Sequence, residues 1–188
     1  MSLYFNTSEG VKFNGISSVS QADVVGTNGV IHAVDAVIGI PTVVTFAVAD
    51  PNFSTLVAAL TDLTPSTDFV SILSRTEVGS PVDGINPNFT VFAPTNDAFA
   101  ALPAGVLDAL LLEENKAVLT QILTYHVVAG KVMAADVTDS DVATVEGQTV
   151  KLSTTDGVRV NGAAVVLADV AASNGVIHAI DAVILPPG

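Results

Sequence analysis

The sequence has no cysteine and no tryptophan. Disulfides, thiolate nucleophiles and cysteine-based metal centres are therefore excluded, and redox usage says nothing about compartment. Basic residues are nearly as scarce. Six Lys and Arg face nineteen Asp and Glu, a formal charge of −13. Such a surface repels phosphate backbones and anionic lipid, which argues against a nucleic-acid partner. Aromatic residues make up only 5% of a chain that is 49% apolar. Val, Ala, Leu and Ile must then build the core, a composition that favours short strands and small-residue packing. No apolar run reaches the roughly 18 residues of a membrane span, so no membrane insertion by this segment is expected. Met1 to Asn6 has neither the basic patch nor the apolar stretch of a signal peptide. Met1-Ser2-Leu3 reads as a remnant of cloning, which would leave any export signal outside this sequence.

What the chain does contain is an internal repeat. Asn28 to Ile38 reads NGVIHAVDAVI and Asn174 to Ile184 reads NGVIHAIDAVI, ten of eleven positions identical at a spacing of 146 residues (174 minus 28). Upstream, Gly10 to Gly15 parallels Gly157 to Gly162 at a spacing one residue longer, which places a one-residue insertion between Asn14 and Asp23. A period of this size is that of a domain, not of a solenoid. The first copy holds only the last forty residues of the unit. Residues 4–40 therefore read as the carboxy-terminal tail of a preceding domain, and residues 41–188 as a complete domain, with the boundary near Pro41.

Within the complete domain, Asp50-Pro51 is a helix start, with Asp as cap and Pro at the first helical position. Phe53, Leu56, Val57 and Leu60 then share one helical face. Thr64 to Asn88 reads as a loop around a short helix. Phe89 to Ala93 is a buried strand, stopped by Pro94 and followed by a capped helix carrying Phe99 and Leu102. Val106 to Leu112 and Val118 to Leu123 are further helical segments. From Tyr125 onward, Gly130, Glu146-Gly147, Asp156-Gly157, Asn161-Gly162 and Asn174-Gly175 punctuate the chain at hairpin spacing. Helices first and strands later predict an α+β fold.

Three segments stand out: FTVFAPTNDAFAAL (Phe89 to Leu102), LTYHVVAGKV (Leu123 to Val132) and NGVIHAIDAVILP (Asn174 to Pro186). In this order they resemble the two motif boxes of the fasciclin (FAS1) family and the Tyr-His motif between them. NFSTLVAAL, Asn52 to Leu60, is similar to the family's opening helix. The resemblance spans residues 41–188 and implies a β-wedge or sandwich of about seven strands, with helices packed near the amino-terminal half. It also implies an extracellular, secreted, cell-surface or periplasmic protein that adheres to a protein or to a matrix or polysaccharide partner, without catalysis. One departure is the stretch Thr64 to Asn88, longer than the usual link into the first box. Tandem domains are common in the family, which fits the tail at 4–40. The near-identity of that tail to the closing strand also raises a homodimer formed by strand exchange or edge pairing, the alternative being a tail packed on its own domain as tandem domains pack.

Few residues carry a chemical reading of their own. Tyr125 and His126 form the ligand-facing motif that the resemblance implies. Flanked by Val127 and Val128, His126 is also expected to be buried and bonded through its ring to the first box or its helix cap, with Thr95, Asn96 and Asp97 as the favoured partners. In the last strand both faces are apolar, as in a central strand, with His178 and Asp181 on opposite faces. Asp136, Asp139 and Asp141 are oxygen donors of the kind calcium takes, but the twelve-residue calcium-loop pattern is absent, and a solvated acidic loop is the simpler reading. No cofactor is implied. There is no G-x-S-x-G elbow for a hydrolase. The alternative to an adhesion module is a small-molecule or polysaccharide binder, less readily a lyase or hydrolase on the same fold. A concave pocket lined by convergent polar groups near His126 or Thr64 to Asn88 would discriminate in its favour. Asn6, Asn52 and Asn88 begin glycosylation sequons.

Overall fold

The computed structural model describes residues 3–7, 10–61, 68–76, 87–110 and 112–187. Among them the strands form two sheets. The first holds β1 (Phe5–Asn6), β2 (Lys12–Phe13), β3 (Ser17–Gly26) and β4 (Gly29–Val34), each antiparallel to the next. Three helices follow: α1 (Val43–Ala49), α2 (Ser54–Thr61) and α3 (Phe69–Leu73). The chain then enters the second sheet with β5 (Phe89–Pro94) and leaves it again for α4 (Asn96–Ala100), α5 (Val106–Leu110) and α6 (Lys116–Tyr125). It returns as β6 (Val127–Ala129), β7 (Ser140–Ala143), β8 (Thr149–Ser153), β9 (Arg159–Val160), β10 (Ala163–Ala172) and β11 (Gly175–Ile180). The order across this seven-stranded sheet is β6-β5-β11-β10-β9-β8-β7. All its neighbours are antiparallel except β5 and β11, which run parallel with Gly175 beside Phe89 and Ile180 beside Pro94. The fold is α+β, as the order of helices and strands predicts.

Local chemistry sets the helix ends. Thr42 caps α1 by accepting from the Thr45 N–H. Asp50 closes α1 through its own N–H to the Phe46 carbonyl and opens the next turn by accepting from the Asn52 N–H, with Pro51 in the first position. Helix α1 does not follow from the sequence, because VVTFAVA is the composition of a strand. Burial decides the matter: Val43 and Phe46 are sealed against the core, and a seven-residue segment takes its structure from such packing rather than from propensity. The expected short helix between Thr64 and Asn88 is α3, capped by the Asp68 side chain; residues 62–67 and 77–86 lie outside the described residues.

The centre of the second sheet, β5 and β11, is buried on both faces. Phe89 and Ala93 of β5, with Ile177 and Ala179 of β11, pack under α1, α2, α3 and α6. Phe92 and Ile180 point the other way, into a second cluster with Tyr125, Val128, Val150, Leu152 and Val160. All six residues of β11 are buried, as expected of a central strand.

The first sheet repeats the end of the second. Strands β3 and β4 pair Val19 with Val34, Gln21 with Ala33, Val24 with Ile31 and Val25 with Val30; β10 and β11 pair the corresponding residues, with irregularities at the same two places. Asp23 and Asp169 both adopt positive φ at one of them. The inserted residue is Ile16. Asn161-Gly162, both at positive φ, turn β9 directly into β10, whereas Asn14-Gly15 need Ile16 before Ser17 pairs with Phe13. The two copies differ in burial. Val176 and Ile177 are buried, while Val30 and Ile31 are 55% and 64% exposed. The tail rests on the domain through Tyr4, which packs edge-on against Phe46 and donates to Asp50, and through Asn6, which also bonds Asp50.

Candidate interaction site

The Tyr125-His126 pair sits at the turn from α6 into β6. His126 is the last residue of the helical turn, so its ring is close to carbonyls that the helix leaves unpaired. Its Nδ1 lies 2.7 Å from the Ile122 carbonyl oxygen and its Nε2 accepts from the Ile184 N–H at 3.2 Å. Only a protonated Nδ1 can donate to a carbonyl, and only a bare Nε2 can accept, so the imidazole is neutral. Burial pushes its pKa down to about 4, against a smaller upward pull from the Ile122 carbonyl. Tyr125 is buried beside it; its hydroxyl donates to the Thr149 carbonyl and accepts from the Asn161 amide, each at 2.7 Å.

The expected burial of His126 stands, but its expected partners do not. Thr95 caps α4 through Ala98 and ties its own N–H to the Ile180 carbonyl. Asn96 turns to α2, accepting from the Thr55 N–H and donating to the Pro51 carbonyl. Asp97 is exposed in the first turn of α4. The ring of His126 instead joins α6 to the second box, through Ile184. Sequence could not show this, because the partner is a main-chain N–H and leaves no mark in residue type.

His178 lies on β11, stacked on Phe92 with ring centroids 5.8 Å apart. Its Nδ1 accepts from the Asp169 N–H, so the contact of Nε2 with the Val132 carbonyl, 2.8 Å away, is made by a protonated Nε2. It holds the opposite tautomer to His126. Asp181 lies past the strand end, exposed, accepting from the Ala164 N–H. The structure does not bring the two together. Asp136, Asp139 and Asp141 are exposed and do not converge: Asp139 accepts from the Thr154 N–H and hydroxyl, and among the described residues no three acidic or imidazole groups are placed to hold a metal ion.

Asn174, which opens the second box and its turn, is a junction of the domain. Its buried side chain accepts from the Val43 N–H and donates to the carbonyls of Leu73 and Arg75. One amide thus joins α1, the end of α3 and the start of β11. Asn174→Asp would set a carboxylate against two carbonyl oxygens, and a loss of about 3 kcal/mol or more is expected in urea unfolding.

The cleft beside His126 is lined by Thr55, Pro94, Phe99, Leu119, Ile122 and Val183 among others and has a volume of about 10 Å³, room for no more than a water. A larger groove of about 30 Å³ between α1, α2, α3 and β5 is walled by Val44, Val48, Leu60 and Val70 and has Thr61 as its one side-chain hydroxyl. Among the described residues neither has convergent polar groups. Among the described residues no single helix is long and apolar enough to cross a membrane.

A mixed seven-stranded wedge flanked by helices is the fold of FAS1 domains. The chain matches a FAS1 domain pair from the insect cell adhesion molecule fasciclin I with a TM-score of 0.72 and 23% identity, over 98% of this chain and 67% of that one. A Fasciclin-domain family model matches residues 51–186, and the chain belongs to that family. It is 52% identical over 147 residues to Protein sll1483 of Synechocystis sp., covering 78% of this chain and 74% of the relative. It is 35% identical over 147 residues to the cell surface glycolipoprotein MPB83 of Mycobacterium bovis, covering 77% of this chain and 60% of the relative.

Proposed function

We propose that the chain is a non-catalytic interaction module of an extracellular, secreted or cell-surface protein, which adheres to a protein or to a matrix or polysaccharide partner. The observation that carries this reading is the condition of the two buried histidines. Each is neutral and has both ring nitrogens committed to the chain's own backbone, so neither is free to move a proton for a substrate or to ligate a metal. Family membership supports the same reading, as do a relative named for the cell surface and a solved structure from a cell adhesion molecule. A charge of −13 favours solubility and disfavours nucleic acid. The apolar lining of both grooves weighs against a polysaccharide pocket, which needs convergent polar groups.

The test is adhesion of beads coated with the full chain to intact cells and to immobilised matrix polysaccharide, run beside turnover assays on ester and glycoside substrates. Retention above that of uncoated beads, with no turnover, is expected. Retention equal to uncoated beads counts against the adhesive role. Reproducible turnover that disappears in His126→Gln overturns the non-catalytic one.

A further inference from the structure

Among the described residues the amino-terminal sheet has an unused edge. Strand β4 pairs there with β3 alone, whereas its near-identical counterpart β11 pairs with β10 on one side and β5 on the other. The structure therefore contains both a strand of this sequence without its parallel partner and the same strand with it.

Three positions show that β4 keeps the features that β5 requires. Gly175 lies so close to β5 that a side chain there would collide with the backbone of Phe89, whereas among the described residues nothing comes within 4 Å of a side chain placed at Gly29. His178 spans to the Val132 carbonyl through Nε2. His32 accepts from the Asp23 N–H through Nδ1 as His178 does from Asp169, yet among the described residues its Nε2 meets no carbonyl. Asn174 makes three side-chain hydrogen bonds to α1 and the end of α3, and Asn28 stands exposed at the matching turn. The correspondence reaches further back. Phe5 pairs with Phe13 as Leu152 pairs with Val160, so residues 5–34 correspond to residues 152–180 strand for strand.

We propose that this sheet is a second closing half, and that its partner is the body of a second copy of this chain. In the exchanged pair, β4 of one copy lies beside β5 of the other in the parallel register that β11 uses, Gly29 facing Phe89 and Val30 facing Thr90. The resident hairpin is attached to the body it closes, so its effective concentration favours the closed monomer at low protein concentration. Exchange leaves the number of docked hairpins unchanged and emerges when the resident hairpin is weakened or the chains refold crowded together.

The experiment weakens one hairpin at a time in the full chain. Gly29→Val adds a side chain into open space and is expected to leave a monomer with unchanged melting. Gly175→Val blocks the resident strand. It is expected to melt cooperatively only as an assembly of at least twice the chain's mass, and to lose its folded fraction when Gly29→Val is added. A second measurement does not depend on that variant folding. The natural chain has no cysteine, so Val30→Cys with Thr90→Cys, refolded at high concentration and oxidised, should give a disulfide-linked dimer that neither single variant gives. A folded monomer from Gly175→Val, equal folding of Gly175→Val and the double variant, or no cross-linked dimer from the cysteine pair would each overturn the proposal.

Discussion

Acidification from pH 7 to pH 4 is expected to cost the protein about 3 kcal/mol of folding stability through His126 alone. In the unfolded chain this imidazole takes a proton near its ordinary value of 6.5, while in the fold it resists protonation down to about 4. Between those values the unfolded state binds more protons, so stability is fully present above pH 6.5 and is lost as the pH falls toward 4. The gap, at about 1.4 kcal/mol per pH unit, gives the figure above. Its cause is desolvation: the charged ring would have to shed water in a site walled by Pro94, Phe99, Leu119 and Ile122. Protonation would also make Nε2 a second donor facing the Ile184 N–H, destroying that bond. Neutralising surface carboxylates relieves self-repulsion in a chain of charge −13 and acts in the opposite direction. The comparison with His126→Gln isolates the histidine. Urea unfolding at pH 7, 5.5 and 4 should show a clearly flatter pH dependence in the variant, and equal slopes would refute the assignment.

Ile177→Ala and Ile31→Ala make the same chemical change in the same eleven-residue motif. Ile177 is 1% exposed in the cluster under the helices, beside Phe89 and Ala179. Removing its outer carbons there opens a cavity in a close-packed interior, and a loss of about 2–5 kcal/mol is expected. Ile31 is 64% exposed on β4, and its truncation should change stability by less than about 0.5 kcal/mol. Thermal or urea unfolding of the two variants, side by side, separates them. Similar losses at both positions would mean that the tail sheet is covered in solution.

The parts of this fold that could be read from sequence are those in which residue type and spacing carry the information. Asp50-Pro51 announced a helix start because capping is a property of side chains. The two apolar faces of Val176 to Ile180 announced a central strand because burial on both faces leaves no polar alternation. The repeat placed a one-residue insertion between Asn14 and Asp23, since the spacing between the copies changes there, and the strand pairing narrowed it to Ile16. What could not be read depends on main-chain partners and on tertiary burial. The Ile122 carbonyl and the Ile184 N–H belong to the backbone, so nothing in the sequence links them to His126, and the cap Thr95 to Asp97 was the visible but wrong choice. Helix α1 is written in β-branched residues and is helical because of what covers it. Asn174 looks identical to Asn28, and only the helices around it make one of them a junction.

The parallel contact of β5 with β11 also has a mechanical consequence. A pull on the carboxy-terminal end of β11 acts along the strand, which is held on one edge by β5 over six residue pairs and on the other by β10. Sliding the strand out loads these bonds together. The same pull on β4, whose outer edge has no strand beside it among the described residues, meets resistance on one side only. Tension entering through the last strand would therefore be met by shear across the whole centre of the sheet, while tension entering through the tail would reach the domain at the Tyr4, Asn6 and Asp50 contact and slacken there first.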